Sequence, residues 1–255
     1  MCFDHDSRPP IAPIAGGALD GRYETLTASD GNRIRAFHAR PASPSGAGVV
    51  ILPDVRGLHP YYEELSLRFA ERGVEALAID LFGRTAPTTD RGEGFDYNPH
   101  VAQTTWAGIS ADVATGVAAI RAAEGVHSVF TVGLCMGGRM SFLAATLGLG
   151  LAGVIGFYGT LVGPWRNDAP APVDRTDAVA SPVLGLFGGA DQAIAPEAIE
   201  TFDAGLTTAG VEHRLVTYPG APHSFFDRKA SEFADASAAS WGETLAFIEA
   251  HTPPS

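Results

Sequence analysis

A cysteine, an aspartate and a histidine lie in three short segments that could each carry a reactive group. Cys135 is the central residue of GLCMGG (133–138), Asp191 ends FGGAD (187–191), and His223 ends PGAPH (219–223). A thiol that a histidine deprotonates, with a carboxylate holding the imidazole, is a set of groups that performs nucleophilic acyl transfer. These residues are therefore predicted to form a catalytic triad.

The surroundings of Cys135 match the G-x-nucleophile-x-G turn that places a nucleophile between a strand and a helix. A predicted strand (128–132) precedes it and an apolar helix (140–147) follows. Glycine is expected on both sides because the turn is too tight for neighbouring side chains. Two other interpretations stay open: a phosphate-binding loop, although its glycine and lysine spacing is missing, and a buried structural cysteine.

The order of the three residues along the chain adds to this interpretation. Asp191 and His223 both come after Cys135, and each directly follows a predicted strand. This order, nucleophile then acid then histidine, resembles that of α/β-hydrolases. A loop aspartate or histidine on its own is usually only solvated. Three residues in the expected order at strand ends favour the triad.

The elements that must position these residues begin with a hairpin. Segments 23–27 and 33–39 alternate in polarity around Asp30-Gly31, which favours an antiparallel turn. From Gly48 onward, short β-branched runs alternate with helical stretches, as in a mostly parallel sheet covered by helices on both faces. The predicted strands are 49–52, 74–79, 128–132, 153–157, 183–187 and 213–218.

Three further helices are predicted from patterning and end signals. The first lies at 106–120, where apolar residues from Trp106 to Ile120 recur at spacings of three and four. The second spans 61–72 and ends before Gly73, and the last spans 233–251. Segment 164–177 is interpreted as an exposed excursion. We expect an extended segment over residues 1–20 and a single α/β domain over residues 21–255.

Composition narrows the function classes. The chain has 255 residues, 45% hydrophobic and 18% charged, with a formal net charge of −12. This charge disfavours nucleic acid and anionic membranes as partners. Two cysteines are too few for a disulfide framework, and no signal sequence or membrane-length apolar run is present, so a cytoplasmic protein is expected. The eight histidines show no metal-ligand spacing, and no metal is predicted.

With these residues in place, the chain resembles the dienelactone hydrolase family, whose nucleophile turn reads G-x-C-x-G-G. GLCMGG (133–138) and PHSF (222–225) are specific to that family, and LPDVRGL (52–58) and AIDLFGR (78–84) match its loops after the first two parallel strands. The similarity runs from about Gly48 to the final helix. It implies the α/β-hydrolase fold and hydrolysis of an ester or lactone.

The resemblance also implies roles for residues outside the triad. The backbone N–H groups of Val55 and Met136 would form the oxyanion hole. A glutamate in the family's first loop modulates the thiol; here Asp54, one methylene shorter, occupies its place. Three arginines are candidates for the substrate carboxylate, each of which could instead form a surface ion pair: Arg84, Arg56 and Arg228.

The implied activity is that of carboxymethylenebutenolidase, which opens dienelactones to maleylacetate in aromatic-compound breakdown. No cofactor is implied, and the expected partner is a small anionic lactone or ester, with the chain a monomer or weak homodimer. A broader carboxylesterase or thioesterase with the same triad is the alternative. A non-catalytic receptor and a thiol redox sensor are further alternatives, although the sensor would have only Cys2 as a resolving thiol.

Overall fold

The computed structural model describes residues 7–86, 91–92 and 94–254, and their strands form one sheet. Each strand coincides with an apolar or alternating run of the sequence. In chain order the strands are β1 (Ala18–Thr27), β2 (Arg33–Pro41), β3 (Ala47–Leu52), β4 (Glu75–Ile79), β5 (Ser128–Leu134), β6 (Gly153–Phe157), β7 (Val183–Gly188) and β8 (His213–Tyr218).

The strands follow the order β1-β2-β4-β3-β5-β6-β7-β8 across the sheet. β1 pairs antiparallel with β2, and β2 antiparallel with β4, whereas all other neighbours are parallel. Every residue of β3 to β7 is buried, so both faces of the central sheet are covered. Parallel strands end at the same edge, which brings the loops after β3, β5, β7 and β8 together.

Six α-helices and one 3₁₀ helix accompany the sheet in the described residues. They are α1 (Pro60–Ala70), α2 (Asn98–Gln103), α3 (Trp106–Arg121), α4 (Met136–Ala144), α5 (Pro196–Thr208), α6 (Ala234–Ala250) and the 3₁₀ helix Pro172–Ala178. α1 packs on α6 through Phe69 and Trp241, whose ring centroids lie 4.8 Å apart. α4 packs on α5 through Phe142 and Phe202 at 5.3 Å. None of the helices in these ranges is long and apolar enough to span a bilayer.

The predicted fold class is confirmed, with differences at element ends. The hairpin turns at Gly31, whose φ of 86° and N–H bond to the Ala28 carbonyl close the turn. β1 begins at Ala18, inside the segment predicted to be extended over residues 1–20. The helix predicted over 140–147 begins four residues earlier, at Met136, because the tight turn runs directly into it. The excursion predicted over 164–177 contains most of the 3₁₀ helix Pro172–Ala178. Cys2 lies outside the described residues.

Candidate active site

Cys135 occupies a strained turn between β5 and α4. Its φ of 55° and ψ of −112° fall in a region that non-glycine residues rarely adopt, and it caps the N-terminus of α4. Such strain persists only where surrounding structure enforces it, and it is common at functional sites. Its side chain is partly exposed, which argues against the alternative of a wholly buried structural cysteine.

The glycines on both sides of Cys135 are required by close backbone contacts. A Cβ placed on Gly133 would lie 1.9 Å from the carbonyl oxygen of Gly137. A Cβ on Gly137 would lie 1.8 Å from the carbonyl oxygen of Leu52, at the end of β3. No real Cβ contact is so short, so any side chain at either position would displace backbone. The geometry explains why the turn has glycine at these two positions.

His223 and Asp191 form a hydrogen-bonded pair at the same edge of the sheet. His223 Nδ1 lies 2.7 Å from Asp191 Oδ2, and Asp191 Oδ1 accepts a hydrogen bond from the N–H of Ala193 at 2.8 Å. Asp191 follows β7 and is buried, whereas His223 follows β8 and is partly exposed. With Nδ1 bound to the carboxylate, Nε2 is the nitrogen left to exchange a proton with a substrate or thiol.

The ring of Tyr158 packs against the imidazole of His223. Its ring centroid lies 4.9 Å from that of His223, and the side chain is almost completely buried. Tyr158 has a φ of 38° and Ser224, directly after His223, a φ of 62°. With Cys135 these are the non-glycine residues of the described chain that have positive φ, and all belong to the site.

One cavity of about 460 Å³ contains the three residues of the predicted triad. Cys135, Asp191 and His223 all line it, so the structure brings together three side chains that are far apart in sequence. The other lining residues of the described chain are Val55, Tyr97, Thr160, Trp165, Arg166, Ala190, Gln192, Ala193, Pro222, Arg228 and Lys229.

Val55 and Met136, the predicted oxyanion donors, both lie next to Cys135 or its cavity, and their role stays a prediction. Val55 lines the cavity, and Met136 is the first residue of α4, directly after Cys135. Their backbone N–H groups donate no hydrogen bond to any residue in the described ranges. The N-terminus of α4 also carries the positive end of the helix dipole. An anionic oxygen formed beside Cys135 would be stabilised by such donors.

Asp54 and Arg56 belong to a buried ion cluster and flank Val55, which lines the cavity. Arg56 donates to Asp54 and to Asp227, each at 2.7 Å, and Tyr62 donates its hydroxyl proton to Asp54 at 2.7 Å. Burial raises the pKa of Asp54, but attraction to Arg56 and to His59 outweighs it, so the pKa lies below its ordinary value. The role predicted for Arg56 in substrate binding is not supported, because its guanidinium is held by two carboxylates. That Asp54 modulates the thiol stays a prediction.

Arg84 forms ion pairs with two carboxylates outside the cavity. Its guanidinium binds Asp112 at 2.7 Å and also contacts Asp30, and it is not one of the described residues that line the cavity. Hydrogen bonds to Asp112 and Asp30 hold the pKa of Arg84 above its ordinary value. The arrangement gives no support to the predicted role of Arg84 in holding a substrate carboxylate, since two carboxylates already neutralise it.

The cavity has basic side chains of its own. Arg228, Arg166 and Lys229 line it, and the carboxylate among its described lining residues is Asp191, which is bound to His223. Arg228 Nε is buried and donates to no described residue. Of the three predicted arginines, Arg228 is therefore the one that lines the same cavity as Cys135.

Sequence reasoning missed Arg139, which fixes one wall of the cavity. This residue of α4 is fully buried, and its guanidinium donates to oxygens of residues 160–170, including the carbonyls of Gly163 and Pro170 at 2.9 Å each. Burial lowers the pKa of Arg139 to about 10, so it remains charged at neutral pH. An arginine four residues after a reactive cysteine could have indicated a link to a neighbouring loop.

The described residues contain no group of three or more histidine, cysteine, aspartate or glutamate side chains arranged to hold a metal ion. The reactive groups of the site are the Cys135 thiol, the His223 imidazole and the Asp191 carboxylate. Together with two candidate oxyanion donors, these groups can attack a carbonyl carbon, stabilise the charged oxygen and transfer a proton to a leaving group.

The known proteins that this chain resembles are described as hydrolases of one kind. A "Putative carboxymethylenebutenolidase" of Salmonella typhimurium is 31% identical over 225 residues, covering 85% of this chain and 83% of that protein. A protein of the same description from Escherichia coli strain K12 is 28% identical, covering 94% and 93%. A crystal structure titled "Putative Dienelactone Hydrolase", from Klebsiella pneumoniae, superimposes with a TM-score of 0.78 at 28% identity, covering 90% of this chain and 98% of that one. The model of the dienelactone hydrolase family matches residues 34–252, and the chain belongs to this family of hydrolases.

Proposed function

We propose that the chain hydrolyses a small ester or lactone that bears a carboxylate, with Cys135 as the nucleophile. The observation that carries the proposal is that Cys135, in a strained turn, shares one cavity with His223, whose Nδ1 is bound to Asp191 at 2.7 Å. A nucleophile, a base and a group that orients the base are thereby available to one substrate.

The reaction proceeds in two steps. The Cys135 thiolate attacks the carbonyl carbon, the C–O bond of the ester breaks, and protonated His223 gives its proton to the departing oxygen. Water then attacks the thioester carbon, His223 takes a proton from that water, and Cys135 leaves as a thiolate. The N–H groups of Val55 and Met136 stabilise the anionic oxygen of both tetrahedral intermediates, and Asp191 offsets the charge on the imidazole.

The charge of the cavity supports an anionic substrate. Arg228, Arg166 and Lys229 face a space in which the described carboxylate is already bound to His223. Lys229 is paired with Glu232 outside the cavity lining, whereas no described carboxylate pairs with Arg228. A substrate carboxylate would supply the missing counter-charge. Dienelactone has the required combination of lactone and carboxylate, and if it is the substrate, the chain serves the breakdown of aromatic compounds.

The experiment compares wild type with Cys135→Ala on p-nitrophenyl acetate and on cis- and trans-dienelactone. We expect the wild type to turn over at least one dienelactone faster than the acetate, and Cys135→Ala to turn over none. Intact-mass measurement after rapid quenching should show an acyl adduct on the wild type alone. Hydrolysis of the acetate without either dienelactone would favour a general carboxylesterase, and no turnover by the wild type would overturn the proposal in favour of a receptor or redox role.

A further inference from the structure

Arg166 lies on a segment that forms one wall of the cavity. The segment comprises residues 160–170, which follow β6, and we call it the wall segment. Thr160, Trp165 and Arg166 of the wall segment line the cavity together with Cys135 and His223. A substrate whose carbonyl carbon is beside the thiol would occupy the cavity that this segment bounds.

The wall segment is held from both sides, although it has no regular secondary structure. On the side of α4, Arg139 donates to oxygens of residues 160–170. On the other side, Asn167 donates to Thr104 Oγ1 at 2.8 Å, and the Asp168 carboxylate accepts a hydrogen bond from the N–H of Trp106. The two residues after Arg166 are thus anchored, which limits where its guanidinium can go.

The charge of Arg166 is not compensated by the described chain. Its guanidinium donates to the neutral amide oxygen of Asn98 at 2.8 Å, and no carboxylate of the described ranges lies within ion-pair distance. Arg84, by contrast, is held by both Asp112 and Asp30. The Arg166 side chain is exposed at the cavity and its guanidinium is bonded to a neutral amide, so it can pair with a carboxylate that enters.

We propose that Arg166 determines substrate specificity by binding the carboxylate of the substrate, so that anionic esters are selected over neutral ones of similar shape. The inference rests on the proposed hydrolysis at Cys135, and it assigns recognition of charge to the wall segment rather than to Arg84 or Arg56. Arg228 lines the same cavity and could share the anion.

The test uses two esters with the same leaving group and similar length, mono-4-nitrophenyl glutarate (anionic) and 4-nitrophenyl pentanoate (neutral). For Arg166→Gln we expect kcat/KM on the glutarate ester to fall about tenfold, mainly through KM, as for loss of one charge-assisted hydrogen bond. The pentanoate value should change less than about twofold, because that ester has no charge to bind. Arg166→Lys should recover part of the glutarate activity because it keeps the charge.

Arg175→Gln is the matched control. Arg175 is exposed, lies in the 3₁₀ helix Pro172–Ala178 and does not line the cavity, but its replacement removes the same net charge. The control should leave both esters unchanged. An equal loss on both esters in Arg166→Gln, or no loss on the glutarate ester, would overturn the inference.

A measurement without turnover separates this inference from the proposed function. Calorimetric titration with glutarate should give a dissociation constant that is about tenfold higher for Arg166→Gln than for wild type. If the wild type hydrolyses neither ester, the proposed function fails, and the titration still decides whether Arg166 binds a carboxylate. Equal affinities in the titration would show that it does not.

Discussion

Arg56 and Asp227 are joined by a hydrogen bond of 2.7 Å, although 171 positions separate them in the chain. Both are buried, and each is adjacent in sequence to a residue that lines the cavity: Val55 before Arg56, and Arg228 after Asp227. The ion pair therefore ties the loop that carries a candidate oxyanion donor to the segment that carries a candidate anion-binding group. Loss of this ion pair should therefore displace both the loop of Val55 and the segment of Arg228.

Asp227 should make the stability of the protein depend on pH. Burial raises the pKa of Asp227 to about 6, although Arg56 opposes the shift and Asp54 adds to it. Between its ordinary pKa near 3.8 and about 6, the folded state binds more protons at this carboxyl than the unfolded state. The contribution of Asp227 to the free energy of unfolding therefore falls as pH rises through this window and is level above it.

Asp227→Asn removes this titration. The free energy of unfolding of the variant minus that of the wild type should increase by about 2 kcal/mol between pH 4 and pH 7. Urea denaturation of both proteins across this range measures the difference. A constant difference across this range would mean that the pKa of Asp227 is the same in the folded and unfolded states.

Asp191→Asn should disable the imidazole without removing it. An asparagine at this position favours the wrong tautomer of His223, so kcat/KM for 4-nitrophenyl esters should fall by roughly 10²–10⁴. Asp203→Asn is a matched control, because Asp203 also contacts a histidine, with His213 Nε2 at 3.2 Å, but on an exposed surface outside the cavity. Unchanged kinetics in Asp191→Asn would remove Asp191 from the triad.

Gly137→Ala should disrupt the turn at Cys135. The added Cβ would meet the Leu52 carbonyl at 1.8 Å, and separation of β3 from α4 should lower the free energy of unfolding by more than about 3 kcal/mol. Gly242→Ala, in α6, meets nothing within 4 Å and should raise stability by about 0.5–1 kcal/mol through helix propensity. Equal thermal midpoints for the two variants would argue against the close approach at Gly137.

Arg139→Met should loosen the wall segment. Several partly buried oxygens of residues 160–170 would lose their donor. A loss of about 2 kcal/mol in local stability corresponds to roughly 30-fold faster amide exchange there. Hydrogen–deuterium exchange with mass spectrometry measures this. Arg121→Met removes an exposed arginine that likewise donates to two carbonyls, of Leu149 and Gly150, and should leave exchange in residues 160–170 unchanged.

Most of the fold was accessible from the sequence because its strands are short runs with clear boundaries. The predicted strands agree with the structure to within two residues at each end, except that β1 begins at Ala18, five residues before the predicted start, since β-branched and apolar residues alternate with glycine, proline and helical stretches. α2 and α5 were not predicted. α2 is only six residues long, but α5 had a usable pattern, with Ala198, Phe202 and Leu206 spaced four apart after a proline at the first helical position.

The site could be predicted from the sequence only in part. The ends of strands mark where Cys135, Asp191 and His223 must lie, because parallel strands deliver their following loops to one edge. Whether an arginine can bind substrate or is held in an ion pair depends instead on which carboxylates the tertiary structure brings close to it. Asp30 and Asp112, which hold Arg84, come from a hairpin turn and from α3, and no local pattern indicates that they meet.

Among the described residues, three non-glycine residues have left-handed backbone angles, Cys135, Tyr158 and Ser224, and the rest of the molecule must offset the strain in them. Conformations of this kind cost on the order of 1–3 kcal/mol each. Glycine would relieve the backbone strain at each position but would delete a side chain at the site, and at the buried Tyr158 the lost packing, about 3–5 kcal/mol, exceeds that relief. Stabilisation of this hydrolase should instead begin at positions remote from the cavity.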